Sequence, residues 1–164
     1  PPRAPPAAAA RRPPRDPLGL ELAPGGVGGP AFTQPHGDLR IDWLGRVAYL
    51  VAPEVIKPGK PLPLLLVLHG CWAQRDSADI ADYVASYRRL ASKCNIVALI
   101  PFARVHTWDF ITTQCTERTD LDFIEVGVNE ARRRFPIDDG RIAVLGFSDG
   151  ASYGLSLALS NPDV

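Results

Sequence analysis

Ile142-Ala143-Val144-Leu145-Gly146-Phe147-Ser148-Asp149-Gly150-Ala151 is a branched apolar run, then Gly-x-Ser-x-Gly, then the start of a helix. A serine hydroxyl is a poor nucleophile and must stand where a base can reach it. A sharp strand-to-helix turn lifts such a serine above a sheet in strained backbone. Glycines at 146 and 150 leave room for that turn, and the N-terminus of the following helix brings N–H donors and a positive dipole end. Ala151, Ser152 and Gly154 let the helix Asp149–Leu159 lie close to the sheet, and Asn161-Pro162 closes it. Ser148 is therefore the candidate nucleophile.

Upstream, Leu64-Leu65-Leu66-Val67-Leu68-His69-Gly70-Cys71-Trp72 is a second strand, ending in His-Gly. Acyl transfer passes through a tetrahedral oxyanion that needs two N–H donors, one after the nucleophile and one from the loop after this earlier strand. The backbone amides of Cys71 and Asp149 are the expected donors. His69 is expected to brace the loop by hydrogen bonding rather than to act as the base. Cys71 is expected to be a loop-packing or buried thiol.

Between these motifs strands and helices alternate. Arg46–Ala52 has the pattern of a strand. Asp79–Cys94 places Ile80, Val84, Tyr87, Leu90 and Cys94 at helical spacing, with Asn95 as a left-handed stop before the strand Ile96–Pro101. A further helix starts at Thr119, which with Asp122 resembles a capping pair, presents Leu121, Ile124, Val128, Ala131 and Phe135 on one face, and ends at Pro136. Arg141–Phe147 is expected to be a buried strand. Alternation of this kind specifies an α/β fold with a doubly wound, mostly parallel sheet and crossover helices. Trp72, Phe102, Trp108 and Phe110 follow strand ends, and Trp72 and Trp108 are candidates to line an acyl or aromatic pocket.

From about Leu44 onward the chain resembles esterases of the α/β-hydrolase fold. The nearest branch joins phospholipase/carboxylesterases with polyhydroxybutyrate-depolymerase-like and feruloyl-esterase-like proteins. Val67-Leu68-His69-Gly70-Cys71, Thr107-Trp108-Asp109 and Gly146–Tyr153 carry the resemblance. It implies hydrolysis of carboxylic esters by a Ser-His-Asp triad with no metal or organic cofactor. In that fold the triad runs Ser, acid, His along the chain. Sixteen residues follow Ser148; they include Asp163 but no histidine, and His36, His69 and His106 all precede the serine. The acid and base are thus expected beyond Val164, with the sheet truncated after the nucleophile helix and these 164 residues inactive by themselves. An inactive binding or interaction module and an acyltransferase using the same serine are the alternatives.

Residues 1–38, rich in proline, alanine and arginine and then in glycine, are expected to be a disordered extension, with residues 39–164 the hydrolase-like domain. Eighteen basic residues balance eighteen acidic ones, which disfavours nucleic acid or an anionic membrane as partner and favours a small-molecule ester. No protein partner is evident. The Leu64–Leu68 run is far below the roughly twenty residues that span a bilayer. Cys71, Cys94 and Cys115 lack metal-binding spacing and favour free thiols and a reducing, cytoplasmic setting. The absence of methionine leaves a processed N-terminus, and so secretion or an organelle, open.

Overall fold

The computed structural model describes residues 19, 20, 22, 38–72, 76–112 and 118–163; His36 and Cys115 lie outside them. Five strands, β1 (Leu39–Trp43), β2 (Arg46–Val51), β3 (Leu62–Leu68), β4 (Val97–Pro101) and β5 (Ile137–Gly146), form one sheet in the order β1-β2-β4-β3-β5. Four helices accompany them: α1 (Ser77–Cys94), α2 (Asp109–Thr112), α3 (Thr119–Arg134) and α4 (Asp149–Ser160).

The sheet is mixed. Leu44 and Gly45, with φ of 48° and 76°, form a two-residue turn that pairs Trp43 with Arg46 and makes β1-β2 an antiparallel hairpin. β2 also runs antiparallel to β4, and β3 is parallel to β4 and to β5. The parallel half is the part joined by crossover helices, as long right-handed connections require.

Alternation along β3 sends Leu64, Leu66 and Leu68 into one core and Val67 into the other. The first core takes Leu121, Phe123, Ile124, Val128 and Ala131 of α3 and Tyr153 and Leu157 of α4. The second takes Val84 and Ala91 of α1. Helices therefore cover both faces of the sheet, with α1 opposite α3 and α4. α1 ends at Asn95 in left-handed backbone, φ 53°, and α3 ends as Phe135 turns extended before Pro136.

Three local expectations change. α3 is not capped by Thr119 and Asp122: Arg118 occupies the cap position without a side-chain bond, and the Asp109 carboxylate accepts the Asp120 N–H at 2.8 Å instead. Cys71 and Cys94 are free and exposed, not packed inside, because Cys71 stands on an outward loop and Cys94 on the last turn of α1. β5 is half-exposed rather than buried, since among the described residues it pairs only with β3, and Leu145 is 44% exposed. Within the N-terminal extension, Gly19, Leu20 and Leu22 are irregular but held. The Leu20 N–H donates to Asn161 Oδ1 at 2.7 Å, Arg118 donates to the Gly19 carbonyl at 3.0 Å, and Leu20 and Leu22 pack on the first core.

Candidate functional site

β3 and β5 are neighbours, yet the chain leaves β3 for α1 on one face and leaves β5 for α4 on the other. Diverging exits open a crevice at the carboxyl ends of the two strands, where ligands bind in open α/β sheets. Ser148 stands there, exposed, with Phe147 between the last residue of β5, Gly146, and the first of α4, Asp149.

Its backbone has φ 52° and ψ −120°, which costs a non-glycine residue about 1–3 kcal/mol and persists only where the surroundings impose it. The two glycines of the motif supply that constraint. A Cβ at 146 would fall under 3.0 Å from the backbone of Gly150 and Ala151, and one at 150 under 3.0 Å from the carbonyls of Leu68 and His69. The turn is therefore pressed against both its own helix and the end of β3. Phe147 N–H donates to the Leu68 carbonyl at 3.1 Å, and the Gly150 N–H donates to the Phe147 carbonyl at 2.9 Å.

The loop after β3 lies directly alongside. A Cβ built on Gly70 would stand 3.1 Å from Ser148 Cβ and 3.0 Å from the Phe147 carbonyl. The N–H of Cys71, next in the chain to Gly70, and the N–H of Asp149, next to Ser148, have no acceptor among the described residues.

His69 is 2% exposed, and its hydrogen bonds define its tautomer. The Ala103 N–H donates to Nε2 at 3.1 Å, so the ring proton is on Nδ1, which donates to the Gly70 carbonyl at 2.6 Å. With Nε2 engaged, the ring braces the loop and has no lone pair for Ser148. Its faces meet Trp108 at 4.7 Å, Phe102 at 5.7 Å and Trp72 at 6.0 Å between ring centroids.

The aromatic candidates separate. Trp72 is half-buried and packs edge-on against Tyr83 at 5.4 Å, leaving part of its indole open. Trp108 is fully enclosed between His69 and Tyr153, the latter stacked at 5.4 Å, so it supports the loop from beneath. Its indole N–H donates to the His69 carbonyl at 2.8 Å. Phe102 is buried, and Phe110 stacks on Tyr153 at 5.8 Å. His106 is exposed, and its carbonyl accepts the Trp72 N–H at 2.7 Å. Asp163 follows α4, beyond Asn161 and Pro162.

Other polar groups support the site from distant positions. The Thr107 hydroxyl donates to Asp149 Oδ2 at 2.7 Å. Asp120, 1% exposed, forms an ion pair with the buried Arg46, whose guanidinium lies 4.4 Å from the Phe123 ring centre. Burial pushes the Arg46 pKa down against the pull of Asp120, and burial likewise raises the Asp109 carboxyl above its ordinary 3.8. Among the described residues no cluster of three or more His, Cys, Asp or Glu is placed to hold a metal ion, and no helix is long and apolar enough to cross a membrane.

The fold recurs in solved structures. A thermostable esterase matches with a TM-score of 0.56 and 17% identity, over 77% of this chain and 38% of its own. An esterase from Pyrobaculum calidifontis matches with a TM-score of 0.52 and 24% identity, over 77% and 39%, and an arylesterase with 0.52 and 18%, over 88% and 43%. The fold is that of the α/β-hydrolases. The chain spans about two fifths of the length of these structures. No protein-family model and no curated protein matches the chain. β4, β3 and β5 form the parallel half of the sheet, with β5 outermost among the described strands, and Ser148 follows this strand beside β3.

Proposed function

We propose that this α/β-hydrolase-fold chain carries the nucleophile of a serine hydrolase acting on carboxylic esters. Ser148 Oγ attacks the ester carbonyl and gives its proton to a base contributed from outside the described residues. The tetrahedral oxyanion is held by the N–H groups of Cys71 and Asp149. Collapse expels the alcohol, which takes the proton, and leaves Ser148 acylated. Water then attacks the acyl carbonyl, releasing the carboxylic acid and restoring the serine.

The observation that carries this mechanism is the exposed serine in strained backbone, pressed against Gly70, with the adjoining N–H groups of Cys71 and Asp149 without acceptors among the described residues. This supports reading the turn as a nucleophile elbow beside an oxyanion hole. Strain is maintained at a cost, and of the described non-glycine residues with positive φ, Leu44, Asn95 and Ser148, only Ser148 lies between glycines whose Cβ would meet backbone under 3.0 Å away. That solved structures sharing the fold are esterases lends further support. Trp72, partly open beside the loop, is the aromatic surface best placed to meet the ester.

The test is hydrolysis of a series of p-nitrophenyl esters by the full natural chain and by Ser148→Ala. Turnover that falls by a thousandfold or more in the variant is expected, since residual catalysis without a triad member comes only from the remaining site. Unchanged turnover in Ser148→Ala would refute the mechanism. Product analysis with a competing alcohol distinguishes hydrolysis from acyl transfer, and ester binding without turnover would identify a binding module.

A further inference from the structure

Asp120 sits in the first turn of α3, away from the crevice, but its carboxylate closes a loop that reaches into it. Oδ1 accepts the Arg104 N–H at 3.2 Å and pairs with Arg46, and Oδ2 accepts the Asp109 N–H at 2.6 Å. The Asp109 carboxylate returns the contact by accepting the Asp120 N–H at 2.8 Å and the Thr119 hydroxyl at 3.3 Å. One buried carboxylate thus holds both ends of the loop Arg104–Asp109.

The three inner residues at the far side of that loop each bond to one flank of the site. The His106 carbonyl accepts the Trp72 N–H, Thr107 donates to Asp149, and Trp108 donates to the His69 carbonyl. Residues 69 and 72 bracket Cys71, and Asp149 is itself the second proposed donor. The Ala103 N–H on His69 Nε2 adds a fourth tie just outside the loop. Because the two oxyanion donors belong to different elements, the β3 loop and the α4 N-terminus, their spacing is set by whatever connects those elements. The loop connects both.

We propose that loop Arg104–Asp109 is a positioning element that fixes the separation of the Cys71 and Asp149 amides, with Asp120 as its anchor and Thr107 as its link to the nucleophile helix. This rests on the oxyanion role proposed above. Donors serve only within about 2.7–3.1 Å of the developing oxyanion, so a loosened link acts on the transition state more than on the bound ester. The signature is therefore a loss in kcat with KM nearly unchanged.

Thr107 is the position to test, since a change at Asp120 leaves the buried Arg46 uncompensated and endangers folding. Thr107→Val keeps the side-chain shape without the hydroxyl, and Thr107→Ser keeps the hydroxyl. In the full natural chain with p-nitrophenyl acetate, Thr107→Val is expected to lose about tenfold in kcat, a fraction of the roughly hundredfold or more for a lost oxyanion donor, with KM within about twofold. Thr107→Ser should recover most of that loss. Ser148→Ala, assayed alongside, separates the two levels. Turnover that survives it refutes the hydrolase mechanism and this inference together. Turnover that requires Ser148 but is unchanged in Thr107→Val, or that falls equally in Thr107→Ser, refutes the positioning role alone.

Discussion

Gly150→Ala places the first side-chain carbon under 3.0 Å from the carbonyls of Leu68 and His69, where no flexible side chain can yield. Both obstacles are backbone at the end of β3, pinned by the ladder that pairs Leu68 with Gly146. Relief requires the N-terminus of α4 to recede from β3 by about 1 Å, a displacement that costs on the order of a hundredfold when it misplaces reacting groups. Overpacking of this kind also destabilises by about 1–3 kcal/mol. Two assays read the effect: urea denaturation followed by tryptophan fluorescence for stability, and p-nitrophenyl ester turnover for geometry. The expected result is a midpoint shift matching that loss, together with kcat reduced by about two orders of magnitude. An alanine variant with turnover within about twofold of the parent and an unshifted midpoint would refute the claim that backbone contact at Gly150 sets the Ser148 turn.

Trp108→Phe keeps an aromatic ring against Tyr153 but deletes the donor to the buried His69 carbonyl, and should cost about 1–3 kcal/mol by urea denaturation. Asp109 has a carboxyl pKa raised by burial, so the folded state binds its proton more tightly than the unfolded state. Its contribution is fully present below the unfolded value and is lost as pH rises through the folded one, so Asp109→Asn should flatten the stability–pH curve just above the ordinary carboxylate range. An unchanged slope would contradict the assignment. Glu130 behaves in the opposite sense. Hydrogen bonds from Arg133, then Arg134, hold its carboxyl below the ordinary 4.5, and a carbon-detected NMR titration should find its midpoint there. That stabilisation is present above 4.5 and disappears as pH falls through the lower folded value.

The features legible in the sequence were those with local causes. The branched run of β3, the helical spacing of α1 and α3, Asn95 as a left-handed stop and Gly-x-Ser-x-Gly between strand and helix each express a constraint within a few residues. The hairpin was hidden because Leu44, rather than the usual asparagine or aspartate, takes the first left-handed turn position before Gly45. β1 is silent in the sequence for a related reason: five residues with Arg40 and Asp42 facing outward carry little apolar signal. In the site, Ser148 and the adjacent glycines declare themselves, but the links that hold the crevice together do not. Arg46 meets Asp120 across 74 positions and Thr107 meets Asp149 across 42, and neither pair has a local pattern. The expected Thr119 cap lost to Asp109 for the same reason, since a carboxylate arriving from another element already satisfies that helix end. The position of Trp108 after a strand suggests a pocket wall; only the fold reveals that Tyr153 and His69 enclose it.

Peptide-resolved mass spectrometry after treatment with an alkyl fluorophosphonate tests the central claim most directly. An activated serine attacks phosphorus, fluoride departs and the phosphonyl group stays on the oxygen, marking the residue that the base and the oxyanion donors serve. Ser148 is predicted to carry the adduct in the full natural chain, and prior incubation with a turned-over ester should slow its appearance. An unmodified Ser148 under conditions that label a control serine hydrolase, or an adduct confined to another residue, would contradict it.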